Sequence, residues 1–146
     1  MNIAIGADHS GVLLKKEIIN FLESNDIQVI NKGTDTPDSV DYPDFALPVA
    51  KMVQNNEVNF GILICYTGIG MCMAANKVKG VRASLVGKVE DAILTREHND
   101  SNVLCLSAKN TDVETALQII KAYLESNFTG GRHCNRVDKV MKIETE

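Results

Sequence analysis

A cysteine, a threonine and two glycines fall within six residues at Cys65-Tyr66-Thr67-Gly68-Ile69-Gly70, directly after the apolar run Phe60-Gly61-Ile62-Leu63-Ile64. The run reads as a buried strand, and the turn opens an alanine-rich helix. Glycines let the backbone come close to a ligand, and free N–H groups at a helix start attract anions. A thiol can be tuned to take a proton from a carbon next to a carbonyl, so Cys65 is the candidate base. Thr67 and the amides of Gly68, Ile69 and Gly70 are the candidate holders of the negative charge that results. A buried structural cysteine at a strand end is the competing reading. Cys72, inside the helix, and Cys105, in a later apolar run, read as core.

Three other groups carry chemistry-bearing residues. Asp8 and His9 follow a short apolar stretch, which places two polar groups at a strand tip. His98 and Asn99 close a helix, where a histidine either serves a site or merely satisfies the helix dipole. Arg132 and Arg136, four apart after Gly130-Gly131, project from one helical face; they suit a phosphate or form a solvated face. His133 between them reads as exposed. Phosphatase chemistry at Cys65 is excluded, because the arginine it needs six residues on is Met71 here. A metal centre has no support, since the histidines are scattered and show none of the usual ligand spacings.

The elements that must position these groups alternate. Apolar runs at 2–6, 27–30, 58–65, 81–86 and 102–106 read as strands. Helices are expected from Gly11, from Pro43, from Gly68 to Val78, from Lys88 to His98, from Asp112 to Ser126 and from Arg132 to Glu146. In the first helix Leu14, Ile18, Phe21 and Leu22 face inward and Lys15, Lys16, Glu17 and Glu23 outward. The second buries Phe45, Val49, Met52 and Val53; the fifth, capped by Thr111 or Asp112, buries Val113, Ala116, Leu117, Ile120 and Leu124. The segment from Lys32 to Pro43, rich in proline and aspartate, is a long loop of the kind that often carries function. Five strand–helix alternations predict a three-layer α/β/α sandwich on a five-stranded parallel sheet, Rossmann-like, with an extra C-terminal helix. Ligands then bind beyond the carboxyl ends of the strands, where strand order reverses; if the order begins 2-1-3, this sets Asp8-His9 against the Cys65 turn.

Composition sets outer limits. The chain has 146 residues, 45% hydrophobic and 23% charged, with a net charge of −4. One domain is expected, reduced thiols, no nucleic-acid partner, no membrane span and a cytoplasmic address.

The spaced motifs Asp8-His9-Ser10-Gly11, Asp41-Tyr42-Pro43-Asp44, Cys65 through Gly70, Ala74-Ala75-Asn76-Lys77, Arg96-Glu97-His98-Asn99-Asp100 and Gly130-Gly131-Arg132-His133 with Arg136 resemble the type B ribose-5-phosphate isomerases. That group also contains galactose-6-phosphate and allose-6-phosphate isomerases. The resemblance implies a cofactor-free, metal-free interconversion of ribose 5-phosphate and ribulose 5-phosphate through a cis-enediolate. It implies Cys65 as the base, Thr67 and the Gly68–Gly70 amides as its assistants, and His98 with Asp8 opening the sugar ring. Asn99 and Tyr42 would contact substrate hydroxyls; His9, Arg132 and Arg136 would grip the phosphate. It further implies a homodimer or homotetramer with sites shared between subunits, and a strand order of 2-1-3-5-4. A hexose 6-phosphate substrate, a non-catalytic phosphosugar-binding regulator and a covalent Cys65 intermediate are the alternatives. Tyr66 departs from the family, which has a small residue there. Lys109 stands where many relatives carry arginine, and Asn135 replaces a basic residue in the tail.

Overall fold

The computed structural model describes residues 1–146. The strands are β1 (Asn2–Ala7), β2 (Gln28–Asn31), β3 (Phe60–Cys65), β4 (Ala83–Leu85) and β5 (Val103–Ser107). The helices are α1 (Val12–Ser24), α2 (Pro43–Gln54), α3 (Ile69–Ala75), α4 (Val89–Asn99), α5 (Val113–Glu125) and α6 (Arg132–Lys142). Short 3-10 turns at His9–Gly11 and Ile143–Thr145 complete the set. All strands are parallel in the order β2-β1-β3-β5-β4, as expected, with Ala7 opposite Ile64 and Cys65 opposite Ser107. No helix is long and apolar enough to cross a membrane.

The centre of the sheet is buried on both faces because β1, β3 and β5 are apolar at nearly every position rather than at alternate ones. Ile3, Ile5, Ala7, Ile62, Ile64, Leu104 and Leu106 pack against α1, α4 and α5. Ala4, Leu63, Cys65, Val103 and Cys105 point the other way, against α2 and α3. Cys65 therefore begins as a core residue of the α2/α3 layer, 4% exposed, at the point where its strand runs out.

The structure corrects several sequence-based placements. Lys15 is not on the outer face of α1 but 2% exposed, its ammonium bonded to Asn31 and Asp35. The buried stripe of α5 is rotated: Ala116, Ile119, Ile120 and Tyr123 are inside while Val113 is exposed and Leu117 and Leu124 only partly covered. Tyr123 turns inward because its hydroxyl meets Ser101 Oγ at 3.0 Å and its ring meets Phe60 edge-on at 5.4 Å. In α2 the buried positions are Ala46, Val49, Ala50 and Val53, with Phe45 and Met52 at their margin. Cys72 is half-buried rather than core; its Sγ lies 3.5 Å from the Ala83 carbonyl.

The α3 helix ends at Ala75, short of Val78. The Asn76 side chain donates to the Ala83 carbonyl at 3.0 Å and accepts from the Ala83 amide at 2.8 Å, which draws the chain out of the helix toward β4. The edge strand β4 keeps three paired residues of the six expected, because only Ala83 to Leu85 register against β5. The tail is helical to Lys142 and finishes in a 3-10 turn.

The Tyr123 hydroxyl supplies a first prediction. Tyr123→Phe removes one buried hydrogen bond without opening a cavity. It is expected to cost about 1 kcal/mol, seen as a lower urea midpoint with an unchanged slope.

Candidate active site

The first half of the site is built at the carboxyl edge of the sheet. The Asp8 amide donates to the Ile64 carbonyl at 3.1 Å, so the strand tips of β1 and β3 hold Asp8 beside Cys65. Asp8 Oδ1 accepts from the Ser10 amide at 3.0 Å and the Ser10 hydroxyl at 2.5 Å, which leaves Oδ2 with no protein partner. His9 Nδ1 accepts from the Val40 amide at 3.2 Å. A neutral ring held this way carries its hydrogen on Nε2, leaving that nitrogen as a donor.

The turn after β3 is shaped by two glycines. Gly68 has φ +78°, and a Cβ there would sit 2.9 Å from the Leu106 carbonyl carbon and 2.5 Å from Leu85 Cδ1. A Cβ on Gly70 would fall 2.5 Å from the Tyr42 ring, so the loop from β2 to α2 lays that ring directly on the turn. Thr67 Oγ1 accepts the Ile69 amide at 3.3 Å, while the Gly68 and Gly70 amides have no protein acceptor. Asp8, His9, Tyr42, Cys65, Thr67 and Gly68 to Gly70 thus converge as expected.

His98, Asn99, Arg132 and Arg136 do not join them within one chain. A parallel sheet requires α4 to run back toward the amino edge, so His98 and Asn99 end just before β5 begins at Val103, while Cys65 is level with Ser107 at its far end. Along the strand those two levels lie roughly 13 Å apart. At the amino edge His98 stacks on His133, with centroids 4.2 Å apart and rings 13° from parallel. His98, Asn99, His133 and Arg136 line a cavity of about 830 Å³ together with apolar side chains such as Val78, Val81, Val140 and Ile143 and polar ones such as Lys77, Arg82 and Glu144. Cys65, Thr67 and Asp8 do not line it.

This second half is held by a buried cation. Arg96 lies 4.8 Å over the Phe60 ring, and its Nη1 donates to Asp100 Oδ1 at 2.9 Å and to the Ser101 carbonyl at 2.6 Å. Arg82 Nε donates to the Asp100 carbonyl at 2.7 Å. Asp100, in the left-handed region at φ +49°, closes α4 directly after His98-Asn99. Sequence reasoning treated this cluster as a motif and missed its physics; the alternation of Arg96 and Asp100 at i, i+4 was the available signal. It also missed Ser107, whose hydroxyl donates to the Tyr66 carbonyl at 2.9 Å and accepts from the Asn110 amide at 3.0 Å. His133, expected to be exposed, is partly covered by His98.

Partial burial lowers the affinity of His133 for a proton, and the charges of His98, Arg132 and Arg136 lower it further. No group of three His, Cys, Asp or Glu side chains is placed to hold a metal ion.

Fold and site together define an α/β isomerase that works on sugars. The chain belongs to the ribose/galactose isomerase family, whose sequence profile, described as Ribose/Galactose Isomerase, matches residues 3–140. It is 46% identical over 147 residues to a probable ribose-5-phosphate isomerase B of Mycoplasma genitalium, covering 99% of this chain and 97% of that one. It superposes on ribose-5-phosphate isomerase B of Clostridium thermocellum with a TM-score of 0.98 at 46% identity, covering 99% of this chain and 98% of the other. The Mycoplasma genitalium enzyme crystallised with bound ribulose 5-phosphate aligns with a TM-score of 0.95 at 46% identity, over 99% and 97% of the two chains.

Two outcomes follow from the geometry. Gly68→Ala is expected to cost about 1–2 kcal/mol from its left-handed backbone alone, with the clash against Leu106 added, and a urea titration reads it. In an NMR titration His133 should show its midpoint below that of an ordinary histidine, and Arg136→Met should move it upward.

Proposed function

We propose that this chain interconverts ribose 5-phosphate and ribulose 5-phosphate at a site completed by a second copy of itself. The observation that carries the reading is the split just described: a thiol turn at one edge of the sheet and a histidine–arginine cluster at the other. A phosphosugar needs both halves, and a two-fold pair of chains can bring one edge to face the other. Large apolar side chains are exposed around the thiol turn, namely Tyr42, Tyr66, Ile69 and Met73. The cavity beside His98 offers an apolar wall for such groups.

In this reading His98 of one copy, with Asp8 of the other, moves the proton that opens the furanose. Cys65, as thiolate, then removes the proton on C2 and the C1 carbonyl oxygen takes up the electron pair, forming a cis-enediolate. Thr67 and the free amides of Gly68 and Gly70 stabilise the charge on its oxygens. The O2 proton passes to O1, Cys65 returns its proton to C1, C2 becomes the carbonyl carbon, and the ketose results. His9 through Nε2, Arg132 and Arg136 hold the phosphate, and Tyr42 and Asn99 contact hydroxyls. Phosphate binding far from the reacting carbons supplies orientation, so the steps move only protons. A dianionic sugar does not cross a membrane unaided, so the reading includes a cytoplasmic address.

Mixed oligomers test both parts. Cys65→Ala and His98→Asn should each be nearly inactive on ribose 5-phosphate. After the two are unfolded together and refolded, reassorted dimers contain one intact site, and about a quarter of wild-type activity should return. No recovery, with dimers demonstrably mixed, would mean that each chain carries its own complete site. Measuring kcat/KM on ribose 5-phosphate and allose 6-phosphate decides the sugar; a preference for the hexose would overturn the five-carbon assignment.

A further inference from the structure

The loop from Lys32 to Tyr42 has no secondary structure, yet its far end performs two placements at the site. The Val40 amide fixes the His9 ring, and Tyr42 covers Gly70. Between Thr36 and Ser39 the loop is exposed and makes no hydrogen bond to the rest of the chain. Something at its near end must therefore limit its freedom, because an untethered loop would dilute the placed conformation among many others.

The near end is tied to a buried ammonium. Lys15 donates to Asp35 Oδ1 at 2.5 Å and to Asn31 Oδ1 at 2.9 Å; Asn31 Nδ2 also donates to Asp35 Oδ1 at 2.9 Å, and its Oδ1 accepts the Gly33 amide at 2.9 Å. The segment then runs beside the tip of β1, with the Ala7 amide donating to the Gly33 carbonyl and the Thr34 amide to the Ala7 carbonyl, both at 2.7 Å. Ala7 is the residue before Asp8. Lys15 itself is one helical turn past the His9–Gly11 turn, so the same ammonium touches the start of α1 and the start of the loop.

We propose that Lys15, acting through Asn31 and Asp35, is a positioning residue for substrate binding: it anchors the loop whose far end sets His9 and Tyr42. A lysine is an expensive choice for a buried slot, since an apolar side chain of the same length would fill it without desolvating a charge. What a methionine could not do is hold two oxygen acceptors on a segment with no sheet partner beyond Thr34. The Asp35 carboxyl is held below the usual carboxylate range by its hydrogen bonds to Lys15 and Asn31, which agrees with a pair that stays charged. The proposal rests on the isomerase reading for its substrate, though the tether itself does not.

Two variants and two readouts test it. Lys15→Met removes the ammonium; Asp35→Ala removes an exposed carboxylate and leaves no cavity. Both are assayed on ribose 5-phosphate below the melting temperature, and amide hydrogen exchange is followed at Val40. The expected result is a KM raised about tenfold or more with kcat within about threefold, together with faster exchange at Val40. A merely structural lysine would lower the melting temperature and leave both readouts unmoved. KM and Val40 exchange within twofold of wild type in the folded variants would overturn the proposal. If Lys15→Met does not fold, Asp35→Ala alone gives the answer. A wild-type protein inactive on the sugar would sink the isomerase reading instead, and Val40 exchange would still decide the tether.

Discussion

Every strand of the sheet points the same way, and the placement of the chemistry follows from that. Parallel strands oblige each connecting helix to carry the chain back to the amino edge. Strand tips and helix ends therefore fall on opposite edges. Cys65, Asp8 and the glycine turn are strand-tip features, while His98 and Asn99 belong to a helix end. No local rearrangement within one chain brings these groups together, since the length of β5 stands between them. In the proposed reading a second copy of the chain brings one edge to face the other. Apolar side chains are left exposed at one edge, and apolar residues line part of the cavity at the other.

Each half depends on a buried cation. Lys15 holds the loop that reaches His9 and Tyr42, and Arg96 holds the corner that carries His98 and Asn99. Neither is an economical way to add stability, because burying a charge forfeits hydration that its partner only partly restores. Both instead give direction. A hydrogen-bonded charge fixes its partners in angle as well as distance, whereas an apolar contact tolerates sliding. Arg96 shows the compromise plainly: its Nη1 is satisfied twice, its face lies on Phe60, and its Nε has no partner.

Much of this was legible in the sequence. Apolar runs locate all five strands and their alternation with helices implies a parallel sheet, while the order 2-1-3-5-4 comes from the family resemblance, and an order beginning 2-1-3 sets Asp8-His9 against the Cys65 turn. The errors have a common cause. Gly11, Leu14, Lys15, Ile18 and Leu22 share one helical stripe by spacing, yet Lys15 was assigned outward because of its residue type. Tyr123 escapes a hydrophobic reading of α5 for the same reason, since a tyrosine hydroxyl with a buried partner is not foreseeable, and Ile119 escapes it because a stripe drawn through Leu117 and Leu124 is rotated from the buried one. The two-edge division of the site lay beyond motif reading, because motifs give order along the chain and not position across the sheet.

Tyr66 brings a large ring into the thiol turn, and the pleat of β3 limits what that ring can do. Cys65 faces the α2/α3 layer, and successive residues of a strand alternate in direction. Tyr66 accordingly lies outside that layer, 57% exposed, with the Lys109 ammonium 5.6 Å from its ring centre. The backbone beneath is fixed independently: the Tyr66 carbonyl accepts from the Lys109 amide at 2.8 Å and from the Ser107 hydroxyl. The ring is consequently a feature of the rim, set against the Lys109 ammonium, and the thiol turn keeps its shape without it. In the proposed reading, a side chain at that rim bears on binding and on the fit of a second copy rather than on proton transfer at Cys65.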